Sequence, residues 1–167
     1  MEAVGALYDE HQAHIFRYVW SRVGDRRLAE DLTGDVFVRM VTGLPGYRLQ
    51  GLPFRAWLYQ IARNRLVDHY RREGRHAATE LGAAEVPAPR EAEPASQVER
   101  KLAAEQLHHA LSRLEPLQRE VVSLRFVSGL SVQEVALALH ATENAVKALQ
   151  RRGLAGLRET LAQEGGE

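Results

Sequence analysis

Cysteine is absent from this 167-residue chain, lysine occurs only as Lys101 and Lys147, and no run of about 18 consecutive apolar residues exists. Without cysteine there is no disulfide, no thiolate nucleophile, no Cys-based zinc site and no thiol redox sensor. The missing apolar run excludes a membrane-spanning helix, and the acidic start MEAVGALYDEHQ lacks the basic flank and apolar stretch of a secretory leader. A soluble, cytoplasmic protein without membrane insertion is expected. No Gly-rich phosphate loop, GxSxG elbow or HExxH pair is present. His11 and His14 beside Asp9 and Glu10 supply only two imidazoles with no third ligand in register, which reads as solvated surface rather than a metal site. His108 and His109 are adjacent and point in different directions on a helix. No catalytic site, cofactor, metal or small-molecule substrate is therefore expected. An excess of one charge is missing too, with 22 Lys and Arg against 22 Asp and Glu. That balance argues against nucleic acid only if the charge is spread evenly.

What is present is a helical pattern broken once. Residues 74–97 hold Pro87, Pro89 and Pro94, many alanines and no aromatic residue, the composition of an extended polar linker. On either side, apolar residues recur at helical spacing with almost no strand-like alternation. The expected fold is all-α: two small helical domains, 1–73 and 98–167, joined by a flexible linker. A single bundle with a long surface loop competes less well, because structureless loops of this length are uncommon in compact domains.

In the first half, Leu7, Ile15, Tyr18 and Val19 suit one helix and residues 28–40 a second, beginning after Gly24 and Asp25. Thr42 to Pro53, with three Gly and two Pro, reads as an irregular loop leading into a helix from Phe54 to about Arg72. On that helix Phe54, Trp57, Leu58 and Ile61 share one face, and Tyr59, Arg63 and Tyr70 the opposite, exposed one. In the second half, Leu107, Leu111 and Leu114, then Leu117, Val121 and Leu124 after Pro116, mark two helices. Ser131 to Glu134 form a capping-box pattern, and Thr142 caps a further helix. The helix pair 131–158 has helix-turn-helix spacing. Its second helix places Val146, Leu149, Gly153 and Leu157 inside and Asn144, Lys147, Ala148, Arg151 and Ala155 outside, with Arg152 at the edge.

The neutral total resolves into basic segments offset by acid elsewhere. Residues 54–76 carry Arg55, Arg63, Arg65, Arg71, Arg72 and Arg75 against Asp68 and Glu73; residues 142–158 carry Lys147, Arg151, Arg152 and Arg158 against Glu143. Basic charge interleaved with Tyr59, His69 and Tyr70 suits stacking on unpaired bases. Small and basic residues on the outer face of the last helix suit a DNA major groove.

Three stretches, AEDLTGDVFVRM (29–40), PFRAWLYQIARNRLVDHYRR (53–72) and LEPLQREVVSLRFVSGLSVQEVALALHATENAVKALQRRGLAGLRE (114–159), resemble the extracytoplasmic-function sigma factors of bacterial RNA polymerase. The resemblance implies that 1–73 is sigma region 2 and 98–167 sigma region 4. It implies binding to core RNA polymerase through its clamp helices and flap region, promoter-specific initiation, and control by an anti-sigma factor. By position it assigns polymerase binding to Asp31, Leu32, Asp35, Val36 and Arg39. Recognition and melting of the minus-ten element fall to Tyr47, Arg48, Phe54, Arg55, Trp57, Tyr59, Arg63, Asn64 and Tyr70. Reading of the minus-thirty-five duplex falls to Thr142, Asn144, Lys147, Ala148, Arg151 and Arg152. The chain departs from the family at Gly34 and Asp35, where Gln-Glu is common, and at Ala148 and Leu149, where polar or basic residues are common. The alternative is a sigma-like interaction protein that sequesters an anti-sigma factor without binding DNA.

Overall fold

The structure, a computed structural model, describes residues 2–74 and 95–165. Among these residues there are seven α-helices and no strand: α1 (Glu2–Val23), α2 (Arg26–Gln50), α3 (Phe54–Gly74), α4 (Ala95–Ser112), α5 (Pro116–Val122), α6 (Val132–Leu139) and α7 (Glu143–Gly165). Most of the expected linker, residues 75–94, lies outside the described residues. Ala95 to Gln97, counted with it, open α4 instead.

The ends of α1 and α2 follow from local chemistry. Gly24 takes a left-handed φ of 74° that terminates α1. Asp25 then accepts hydrogen bonds from the Arg27 and Leu28 amides at 2.9 and 3.3 Å, satisfying two orphan donors at the start of α2.

The far end of α2 departs from the expected loop. The helix continues through Pro45 to Gln50 and stops only at Gly51, whose φ is 66°. Long-range packing outweighs the local breakers. The Tyr47 ring lies 4.6 Å from Trp57 and 5.6 Å from Phe54, between ring centroids. At Gly43 an added Cβ would sit 3.2 Å from the indole, so a small residue lets α2 close onto Trp57.

In the second half the local signals match the structure. Ser131 accepts from the Glu134 amide and the Glu134 carboxylate from the Ser131 amide, both at 3.0 Å, so the capping box is complete. His140 ends α6 in the left-handed region, and Thr142 caps α7 through the Ala145 amide at 3.1 Å. Val146, Gly153 and Leu157 are buried along the inner face of α7. A Cβ at Gly153 would lie 2.6 Å from Val122 Cγ2, so this glycine lets α7 pack directly on α5. After α5 the chain makes a π-helical turn at Ser123–Val127, with the Ser128 amide bonding the Ser123 carbonyl at 3.0 Å.

The two halves do not stand apart. Ile15, Tyr18 and Val19 of α1, Leu32, Val36 and Met40 of α2, and Trp57, Leu58 and Leu66 of α3 form a core continuous with Val121, Leu124, Leu130, Val135 and Val146 of the second half. A smaller cluster of Ala110, Leu111, Leu114, Val122 and Leu157 lies within the second half.

Candidate nucleic-acid interface

The last helix presents its basic face to solvent. Asn144, Lys147, Arg151 and Arg152 are exposed, Ala148 is half-buried, and the three cations form no ion pair among the described residues. Thr142 is exposed, with its hydroxyl committed to the helix cap. The short α6 and tight turn before it complete a helix-turn-helix whose second helix is free to enter a groove.

The basic-aromatic face of α3 has a different environment. Tyr47, Phe54 and Trp57 form one aromatic cluster, with Trp57 buried and the other two half-buried. Arg48 and Asn64 are exposed. Arg55 donates to the Gly129 carbonyl at 2.9 Å and pairs with Glu134 at 3.1 Å, both in the second half. Gln60 donates to the Leu137 carbonyl at 2.8 Å. Arg63 lies 4.0 Å from the Glu120 carboxylate. Tyr70 is partly exposed and donates to the Arg22 carbonyl at 2.6 Å.

Tyr59 corrects the helical-wheel reading. It is 2% exposed, with its ring edge-on to Tyr18 at 5.4 Å between centroids. Its hydroxyl is buried beside Ser128, and burial pushes the phenol pKa up. The wheel describes one helix against one core, whereas α3 is covered on a second side by α6.

Two polymerase-binding assignments also change meaning. Leu32 and Val36 are buried in the core beneath α2, so they hold the helix in place and lie out of reach of its outer surface. The outward face comprises Asp31, Gly34, Asp35, Val38, Arg39 and Val41. Asp35 pairs with Arg65 at 3.0 Å and Arg39 with Asp68 at 3.1 Å, which ties α2 to α3. Tyr8, Gly34, Phe37, Val38, Val41 and Thr42 line a shallow apolar depression there. Tyr8, Val38 and Val41 were missed by motif reading, though three large apolar side chains outside the core stripe are their signal.

Another missed group joins the halves. Glu120 on α5 is 4% exposed and accepts hydrogen bonds from Tyr18 and Arg22 of α1. Burial alone would lower the Arg22 pKa, but the Glu120 carboxylate and Tyr18 outweigh it and hold it above its ordinary value. The Tyr18 phenol is raised, first by burial and then by Glu120. The sequence did carry a signal. Arg22 continues the stripe Ile15, Tyr18, Val19 at i+7, and Glu120 lies beside Val121 and four positions before Leu124, so a charge occupies a core-facing position on each helix.

His11 is another correction: it is buried against Phe54, 5.2 Å between ring centroids, rather than solvated. Among the described residues no three His, Cys, Asp or Glu side chains are placed to hold a metal ion. Nor is any described helix long and apolar enough to cross a membrane.

Comparison with known proteins decides the family. The sigma-70 region 2 family matches residues 7–76 and the sigma-70 region 4 family residues 104–157. ECF RNA polymerase sigma factor SigD of Mycobacterium tuberculosis is 32% identical over 155 residues, which cover 90% of this chain and 73% of that protein. The chain belongs to the ECF RNA polymerase sigma factors. Sigma factor BldN of Streptomyces coelicolor is 36% identical over 163 residues, covering 98% of this chain and 62% of that protein, so the chain spans less than two thirds of that relative. Among solved structures, CnrH in complex with the cytosolic domain of CnrY superposes with a TM-score of 0.72 at 25% identity, covering 97% of this sigma factor and 89% of that chain.

Proposed function

We propose that this sigma factor binds core RNA polymerase, directs it to promoters and helps to melt them, with residues 1–73 acting as region 2 and 98–167 as region 4. The exposed, unpaired cations on the second helix of a helix-turn-helix carry this reading. In it, α7 docks in the minus-thirty-five major groove through Asn144, Lys147, Arg151 and Arg152, with Ala148 allowing close approach. The α3 face and the Tyr47–Phe54–Trp57 cluster receive unstacked bases of the minus-ten element, where stacking contributes about 1–3 kcal/mol per base. Asp31, Asp35 and Arg39, around the apolar depression on α2, meet the polymerase clamp helices. Such proteins add no covalent chemistry of their own; they position and open DNA for the polymerase.

An anti-sigma protein is the proposed regulator. That CnrH is captured with the cytosolic domain of CnrY supports a protein ligand of this kind. The functional test is run-off transcription by core polymerase with and without the purified chain, on a library of promoters from its own genome. Specific transcripts that depend on the chain are expected. Their absence, together with failure to bind core, overturns the reading. Asn64→Ala tests the melting assignment: closed complexes should persist while permanganate reactivity at the minus-ten element is lost.

A further inference from the structure

Along the boundary of α1 and α3 with the α5–α6 segment, donors lie on one side and acceptors on the other. The first half contributes the Tyr18 hydroxyl, Arg22, Arg55, Gln60 and Arg63. The second half contributes the Glu120 and Glu134 carboxylates and the Gly129 and Leu137 carbonyls. Tyr59, an aromatic suited to stacking, is buried under the same segment. A guanidinium meets a carboxylate and a phosphate with the same fork of N–H donors. Along this boundary the Tyr18 hydroxyl, Arg22, Arg55 and Gln60 thus already bond anionic and carbonyl oxygens of the same chain, and Arg63 lies within 4.0 Å of one.

We propose that residues 116–139 act as an internal stand-in for nucleic acid. Glu120 and Glu134 occupy Arg22, Arg63 and Arg55 where the open chain takes backbone phosphates of a single strand, so the free sigma factor holds its own melting face shut. Arg22, which the motif assignments leave without a role, becomes a phosphate ligand when the halves separate. The inference rests on the assignment of the α3 face to single-stranded DNA. The seam is suited to reopening: a buried ion pair carries a desolvation penalty that both partners recover when they return to water. Apolar packing of α6 on α3 supplies the remaining closure.

The test uses the full chain and three variants: Glu120→Gln, Glu134→Gln and the double variant. Glu134→Gln keeps the capping box, since Gln serves at that position, and removes only the charge facing Arg55. It therefore remains informative if circular dichroism shows Glu120→Gln misfolded. Two quantities are read: the radius of gyration by small-angle scattering, and affinity for a short fluorescent single strand of mixed sequence. Affinity scales with the open population, so the double variant should expand and bind the strand at least about tenfold more tightly than the parent, with Glu134→Gln in between. Unchanged radius and affinity in the folded variants overturn the proposal. Expansion without tighter binding also overturns it, because the uncovered face then takes no nucleic acid. Run-off transcription by the parent chain is a separate readout, so failure of the latch and failure of the sigma-factor reading are distinguishable.

Discussion

The two basic helices of this sigma factor differ in what faces them. On α7, Lys147, Arg151 and Arg152 point into solvent without ion-pair partners among the described residues. On α3, Arg55, Gln60 and Arg63 meet Glu134, the Leu137 carbonyl and Glu120 of the other half. Similar charge density thus has two consequences: the α7 cations are open to solvent, and Arg55, Gln60 and Arg63 of α3 are engaged within the chain. Whether a basic helix is available is a property of its neighbours rather than of its sequence.

The largest effect that would break this comparison belongs to Glu120. Glu120→Ala leaves Arg22 buried without its carboxylate, and loss of one partner of a buried pair costs about 3–5 kcal/mol. Urea denaturation should show a loss of this order, or a separate early transition as the halves part; a midpoint within error of the parent would mean the pair does not hold the closed form. Next is Gly153→Ala, whose new methyl would meet Val122 at 2.6 Å and should cost about 1–3 kcal/mol by overpacking. Thermal melting checks this, and an unchanged Tm would show that α5 yields without strain.

The exposed side of the comparison is sharpened by Arg151→Ala with Arg152→Ala. If both contact phosphates, the log–log salt dependence of upstream duplex binding by the polymerase holoenzyme should flatten by about 0.9 per contact. An equal flattening from Arg55→Ala in the free chain would erase the distinction between the two helices. Gly34→Ala should raise stability by roughly 1 kcal/mol, because Gly34 lies mid-helix and a Cβ there meets nothing within 4 Å. If polymerase binding falls while stability rises, the glycine serves close approach at the α2 depression.

The smallest effect concerns acid. Burial lowers the pKa of His11, and also of His69, below 6.5, so the unfolded chain binds these protons more readily than the folded one. Stability is therefore retained above that value and declines as pH falls from 6.5 toward the depressed folded pKa. In His11→Gln the decline should be shallower, measured by denaturation at a series of pH values.

Much of the second half was legible because its signals are local. The capping box at Ser131, the Thr142 cap and the inner stripe Val146, Gly153, Leu157 depend on residues within a turn or two of one another. The continuation of α2 through Pro45 was not legible, because it follows from Tyr47 packing on Trp57 and Phe54, beyond the reach of helix propensity. Tyr59 was misplaced for the same reason, since a helical wheel cannot show that a second domain covers the outward face. For Leu32 and Val36, motif position marked a helix without separating the side chains buried beneath it from those exposed on its outer face.

The sequence by itself determined the helices other than the far half of α2, the helix-turn-helix, the basic composition of α3 and α7, and membership of a sigma-factor family. These depend on periodicity, capping and motif spacing, all short-range along the chain. Only the tertiary structure decided that the halves share a core, that Glu120 lies on Tyr18 and Arg22, and that Arg55, Gln60 and Arg63 of α3 are engaged by the other half while the α7 cations face solvent. Glu120 and Arg22 are 98 positions apart, and which distant charges meet is set by the packing of whole helices rather than by their local sequence.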